Sequence, residues 1–155
     1  MDTQNSRAIL LGAVLLFAGL AVAQEKKIKR SDLPPAVEKT VAAESAGATV
    51  KGFSKETEKG QTYYEAEMIV NGHTKGILID ATGAIVEVEE QVAMDALPAE
   101  VKAGLQAKAG EGKVVKVESI TKKGKLVAYE AQVSNGGKKS EVQVGPDGKP
   151  LDHEE

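Results

Sequence analysis

Apolar positions run at helical spacing and then at strand spacing, twice along the chain and in the same order. Leu33, Val37 and Val41, flanked by Ala36, Thr40 and Ala43, recur at intervals of three and four, which predicts an amphipathic helix. Ser31 or Asp32 would cap it, Pro34-Pro35 would occupy a first turn where a missing N–H does no harm, and Gly47 would stop it. Leu97, Val101 and Leu105 repeat the spacing, with Asp95 as the expected cap and Gly110 as the stop. Gly104 inside this second helix costs up to about 1 kcal/mol against alanine, which points to a close backbone approach.

Alternation takes over after each helix. It predicts strands over 49–56, 61–70, 75–80 and 84–88, then over 114–121, 126–134 and 139–144, with a weaker piece at 149–152. Asn71-Gly72 and Asn135-Gly136 read as tight hairpin turns because both central residues accept positive φ. Lys59-Gly60 and Lys123-Gly124 would join the preceding strand pairs. Tyr64, Ala66, Met68 and Val70 fall on one face, as do Tyr129, Ala131 and Val133, so these should meet the helices. Tyr63, Glu65, Glu67, Glu130 and Gln132 point the other way.

The two passes match residue by residue. Leu33, Gly60, Tyr64-Glu65-Ala66, Asn71-Gly72 and Gly83 recur as Leu97, Gly124, Tyr129-Glu130-Ala131, Asn135-Gly136 and Gly148, at offsets of 64 or 65. Ordered self-similarity of this kind marks a duplicated unit. The expected fold is therefore α+β, two tandem repeats at 31–90 and 91–152, each one helix packed on a three- to four-stranded antiparallel β-meander. Glu87 to Asp95 would be the junction.

The N-terminal region belongs to neither unit. Arg7 precedes the uncharged run Ala8 to Leu20, and Ala21-Val22-Ala23 presents small residues to a signal peptidase before polar Gln24. Sixteen apolar residues from Ala8 to Ala23 fall short of the roughly 20 that span a bilayer. The reading is a cleaved signal peptide over 1–23, with cleavage after Ala23 and a basic linker at 24–30. It sends the protein to the bacterial periplasm or beyond, with no stable membrane span after cleavage.

Composition narrows the chemistry. The chain has 155 residues, no Cys, no Trp, 3% aromatic residues and a net charge of −3. Disulfides, thiol nucleophiles and thiolate metal sites are excluded, and the charge gives no reason to hold nucleic acid. His73 falls in a turn and His153 in the acidic C-terminal tail, so neither fits a preorganised triad or zinc site. Asp80 to Gly83 and Asp147-Gly148 lack the full calcium-loop ladder and read as β-turns. The Glu65/Glu67 pair reads as a solvated sheet face, and Lys26 to Arg30 and Lys122 to Lys125 as solubilising charge. No cofactor and no metal is expected, and the chain is not read as an enzyme.

Leu-Pro-x-x-Val on a helix, a glycine turn, Tyr-Glu-Ala on a strand and Asn-Gly, stated twice after a signal peptide, resembles the PepSY and PepSY-like modules of exported bacterial proteins. The beta-lactamase-inhibitor-like group has a similar helix-and-antiparallel-sheet layout. The resemblance spans Lys29 to Leu151. It implies structural roles for Leu33/Leu97, Val37/Val101, Tyr64/Tyr129, Glu65/Glu130 and Gly83/Gly148, and it implies no catalytic residue. Because PepSY modules occur in metallopeptidase propeptides, it also implies a non-catalytic binding protein that inhibits or modulates a periplasmic or extracellular peptidase, or binds another envelope protein. Tyr63, Glu65, Glu67, Glu130 and Gln132 would form the partner surface. The alternative is a periplasmic sensor or a module binding a small ligand or metal.

Overall fold

In a computed structural model of the chain, residues 25–58, 60–153 and 155 are described. The expected signal peptide and its cleavage site lie outside them. The strands are β1 (Lys26–Ile28), β2 (Thr49–Glu58), β3 (Gln61–Val70), β4 (His73–Asp80), β5 (Ile85–Gln91), β6 (Lys113–Lys122), β7 (Lys125–Asn135) and β8 (Lys138–Val144). The helices are α1 (Pro35–Glu44) and α2 (Ala99–Ala109).

All eight strands form one antiparallel sheet whose spatial order is the chain order. This corrects the expectation of two tandem helix-on-meander repeats. β5 runs on to Gln91 and pairs with β6, from Glu87 opposite Lys122 to Gln91 opposite Glu118. The stretch read as a junction is therefore half strand. Separate meanders would have exposed two more rows of unpaired N–H and C=O groups, and continuous pairing satisfies them. The segment read as a basic linker also joins the sheet, since β1 pairs with Phe53 to Lys55 of β2.

Both helices begin later than their expected caps. Single 3-10 turns at Arg30–Asp32 and Met94–Ala96 occupy those positions. Leu33 and Pro34 are extended, with ψ of 136° and 149°, as are Leu97 and Pro98, with ψ of 150° and 146°. A proline ring clashes with helical geometry in the residue before it, so Leu-Pro-Pro delays α1 to Pro35 and Leu-Pro delays α2 to Ala99.

The helices cover the same face of the sheet. Val37 and Val41 of α1 pack with Leu33 on Tyr64, Ala66, Met68, Ile77 and Ile79, and Val101 and Leu105 of α2 pack with Leu97 on Val117, Ala131 and Val144. Val88, packed on the first cluster, pairs with Thr121, four residues along β6 and on the same face as Val117 in the second. Each helix is also fastened to the turn beyond its strands. The Thr40 hydroxyl donates to the Gly83 carbonyl at 2.6 Å. At the matching place in α2, a Cβ on Gly104 would overlap the Gly148 carbonyl, and one on Gly148 would overlap the Glu100 carbonyl. Gly104 thus gives up helix propensity for backbone-to-backbone contact, as its sequence position suggested.

Candidate functional site

The opposite face carries no helix. Cross-strand partners share a face, so the register alone assembles its rows. One row runs Gly52, Glu67, Gly76, Glu89, Ile120, Ala128 from β2 to β7. Its neighbours run Ser54, Glu65, Leu78, Glu87, Lys122 and, with Thr74 N–H donating to Gln91 Oε1 at 3.0 Å, Ile69, Thr74, Gln91, Glu118, Glu130, Gln143. Gln132 sits between Lys116 and Glu141 one row further on.

All five residues singled out in the sequence lie on this face, and four meet. Glu65, Glu67, Glu130 and Gln132 line one depression of about 110 Å³ together with Glu89 and Glu118. Tyr63 stands apart, between Glu56 and Asp80, half-buried, with its hydroxyl donating to Gln61 Oε1 at 2.6 Å. The face is not the freely solvated one expected of a Glu-x-Glu strand. Glu65 is half-buried and accepts a 2.8 Å hydrogen bond from the buried Ser54 hydroxyl. Burial pushes its carboxyl up to about 7, against the partial relief of that bond. Glu67 is also raised, chiefly by burial.

Glu89 is the most perturbed group and escaped sequence reasoning. Burial, reinforced by the charges of Glu87, Glu118, Glu130 and Glu65, pushes its carboxyl up to about 9. Alternation through Ile85-Val86-Glu87-Val88-Glu89 gives the facing of Glu89, but only the β5–β6 pairing brings Glu118 and Glu130 near it. Glu118 is buried and ion-paired with Lys116 at 2.6 Å, and Thr74 Oγ1 donates to it at 3.3 Å. The Gln143 amide donates to Glu130 at 2.8 Å.

The C-terminal end covers part of the same face. The Glu155 backbone N–H donates to Gln143 Oε1 at 2.9 Å, and its carboxylate lies 3.4 Å from Lys122 Nζ. Gln143 and Lys122 stand on β8 and β6, on either side of β7, so the two contacts of Glu155 bridge β7 on the face that also carries Ala128 and Ile120. These are 0% and 1% exposed on a face without a helix. The weak strand predicted at 149–152 does not form.

Other candidates resolve locally. Asp80 Oδ1 accepts the Thr82 and Ala84 N–H groups at 2.8 and 3.1 Å and the Thr82 hydroxyl at 2.6 Å. Asp147 Oδ1 accepts the Lys149 N–H at 3.1 Å. These are side-chain-stabilised turns, and their bonds hold both carboxyls below the ordinary range, through Thr82 above all for Asp80 and through Lys149 for Asp147. His73 opens β4 and is exposed, and His153 Nε2 lies 3.9 Å from Glu155. Arg30 clamps Glu38 with contacts of 2.8 to 3.1 Å. Among the described residues no group of three His, Asp or Glu side chains is arranged to hold a metal ion, and no helix is long and apolar enough to cross a membrane.

No family model matches the chain. No curated protein matches it either. Solved structures do. A provisionally periplasmic protein from Bacteroides eggerthii is similar at a TM-score of 0.62 and 20% identity, covering 79% of this chain and 88% of its own. A DUF2874 family protein from Bacteroides ovatus gives 0.58 and 21%, covering 77% and 84%. A BLIP-like protein from Bacteroides fragilis gives 0.55 and 19%, covering 79% and 85%. The chain shares its fold with these proteins, so the BLIP-like half of the expected resemblance stands at the level of fold.

Proposed function

We propose that this protein is an exported binding module without catalytic activity, whose partner is another protein seated on the helix-free face of the sheet. The observation that carries this reading is the convergence of Glu65, Glu67, Glu130 and Gln132 on one shallow depression, on a face left uncovered over β3 and β4. A broad, polar, rigid sheet surface suits a folded partner better than a small molecule, which wants a concave and mostly apolar pocket. The leader-like segment at 1–23 and the provisionally periplasmic neighbour support export. The BLIP-like neighbour fits a non-catalytic binding module, and the target we propose is a periplasmic or secreted peptidase, inhibited stoichiometrically and without a covalent bond.

Retention experiments test this. Tagged protein is incubated with periplasmic extract, and the retained protein is identified and assayed. The expected result is one peptidase whose activity falls as the ratio approaches equimolar, with loss of retention on Glu65→Lys/Glu130→Lys substitution. Retention that the double variant leaves intact would remove the face from the reading. A thermal shift with small ligands or divalent ions and no retained protein would favour a sensor instead.

A further inference from the structure

Resting on the reading of this face as a protein-binding surface, we infer that the partner docks through one cationic side chain, a lysine or arginine, that enters over Gly76 between Glu65 and Glu89. Gly76 sits in the middle of β4, between Glu67 and Glu89 in the ladder. Glycine weakens a strand interior and often marks a place where something approaches closely. Its own backbone does not ask for it, since its φ is not positive. Nor does crowding, since a Cβ there would stand 3.7 Å from Glu65 Oε1 and 3.8 Å from Glu89 Oε2, in ordinary contact. The missing side chain instead leaves an opening flanked by two carboxylates.

Neither carboxyl of that opening has a cation paired with it among the described residues. Among the described residues no hydrogen bond or ion pair reaches the Glu89 carboxylate; its ladder neighbours are Gly76 and Ile120, which offer no side-chain donor. Of the nearby cations, Lys116 is held by Glu118 at 2.6 Å and Lys122 by Glu87 and Glu155 at 3.6 and 3.4 Å, while Lys51, which lines the same depression, stands two strands from Gly76 on β2. Complementarity therefore calls for a positive partner. A metal ion is the poorer fit, because no three carboxylates among the described residues converge on one point. A lysine or arginine brings its charge on a long apolar stem, which can lie along Leu78 and Ile120 while the head reaches the carboxylates. Burial holds the Glu65 carboxyl partly and the Glu89 carboxyl almost wholly protonated near neutral pH, and an entering cation would favour their ionised forms.

A defined probe tests the inference without the natural partner. The isotope-labelled protein from the periplasmic fraction is titrated with a cyclic hexapeptide bearing one arginine, with its citrulline and glutamate counterparts, and with calcium chloride, while amide chemical shifts are followed. The expected result is saturable shifts at residues 65, 76 and 89 with the arginine peptide, at least about fivefold weaker with citrulline, as loss of a charge-assisted contact requires. Gly76→Val, whose Cβ finds ordinary contact distances and whose fold is checked by unperturbed amides on the covered face, should abolish them. Glu89→Gln should weaken them by a similar factor. Shifts absent from these residues, equal with citrulline, or unchanged in Gly76→Val would overturn the inference, and so would calcium saturating the same amides and displacing the peptide. A periplasmic protein retained equally by wild type and Gly76→Val would sink the slot and leave the binding module standing. Peptide binding with no retained protein would do the reverse.

Discussion

The two faces of the sheet are built from the same strands and bury their side chains by different means. On the covered face, Ile77 and Ile79 are shielded by α1 and lose all exposure to an apolar neighbour. On the other face, Glu65 and Glu89 are shielded without a second layer, Glu65 between Ser54 and Leu78 and Glu89 between Gly76 and Ile120 in the ladder, with further acids around them. The lesson is that a two-layer fold creates burial on both sides, but only the side with a second layer can use it for stability. What the open face stores is carboxyls held short of ionisation, which a cationic partner can ionise.

The contrast can be broken from either side. Ile79→Ala on the covered face opens a cavity under α1 and should cost about 2–5 kcal/mol in chemical unfolding, the largest effect expected. Gly148→Ala comes next. It places a Cβ at φ +77° against the Glu100 carbonyl, and should cost at least about 1–3 kcal/mol from the backbone conformation alone, with the loosening seen in amide exchange of α2.

On the open face the sign reverses, and pH is the lever. Glu65 and Glu89 hold their protons to about 7 and about 9 when folded, whereas the unfolded chain releases them near 4.5. Between these limits the folded state binds more protons, so stability falls as pH rises. Melting temperature should drop by roughly 5 °C or more from pH 5 to pH 9. Glu89→Gln should flatten that slope and raise the melting point at pH 9 while leaving pH 5 little changed. A slope that persists in this variant would mean that the carboxylate is not its source. Asp80 and Asp147, held below the usual range by their turns, contribute stability above about pH 4 that is lost on further acidification. Smallest of all, Glu67→Gln should change stability by no more than about 0.5 kcal/mol at pH 5.

Much of the covered face was legible in the sequence, because period-2 alternation fixes side-chain direction whatever the partner strand is. Tyr64, Ala66 and Met68 could be placed from their own strand. The hairpin at Asn71-Gly72 was equally local, with φ of 51° and 85°. At Asn135 the signal slipped by one residue: the turn is Gly136-Gly137, at φ 56° and 84°, and Asn135 stays in the ladder opposite Lys138. Two glycines reach positive φ at less cost than an asparagine and a glycine. The acidic cluster was not legible, because Glu89 meets Glu118 and Glu130 only through the β5–β6 pairing. Nothing within either half of the sequence announces that pairing, and the same blind spot made one sheet look like two.

Because every strand pairs with the one that precedes it in the chain, the sheet has an order of assembly written into its topology. Each hairpin can close on a partner already in place, and no strand must wait for one made much later, so the entropic search is short at every step. A chain threaded outward from its N-terminus could lay down β1, β2 and β3 before β8 exists, with each growing edge exposed only until the next strand arrives. For a protein without a disulfide to lock it, folding of this kind would keep open edges from meeting those of another copy.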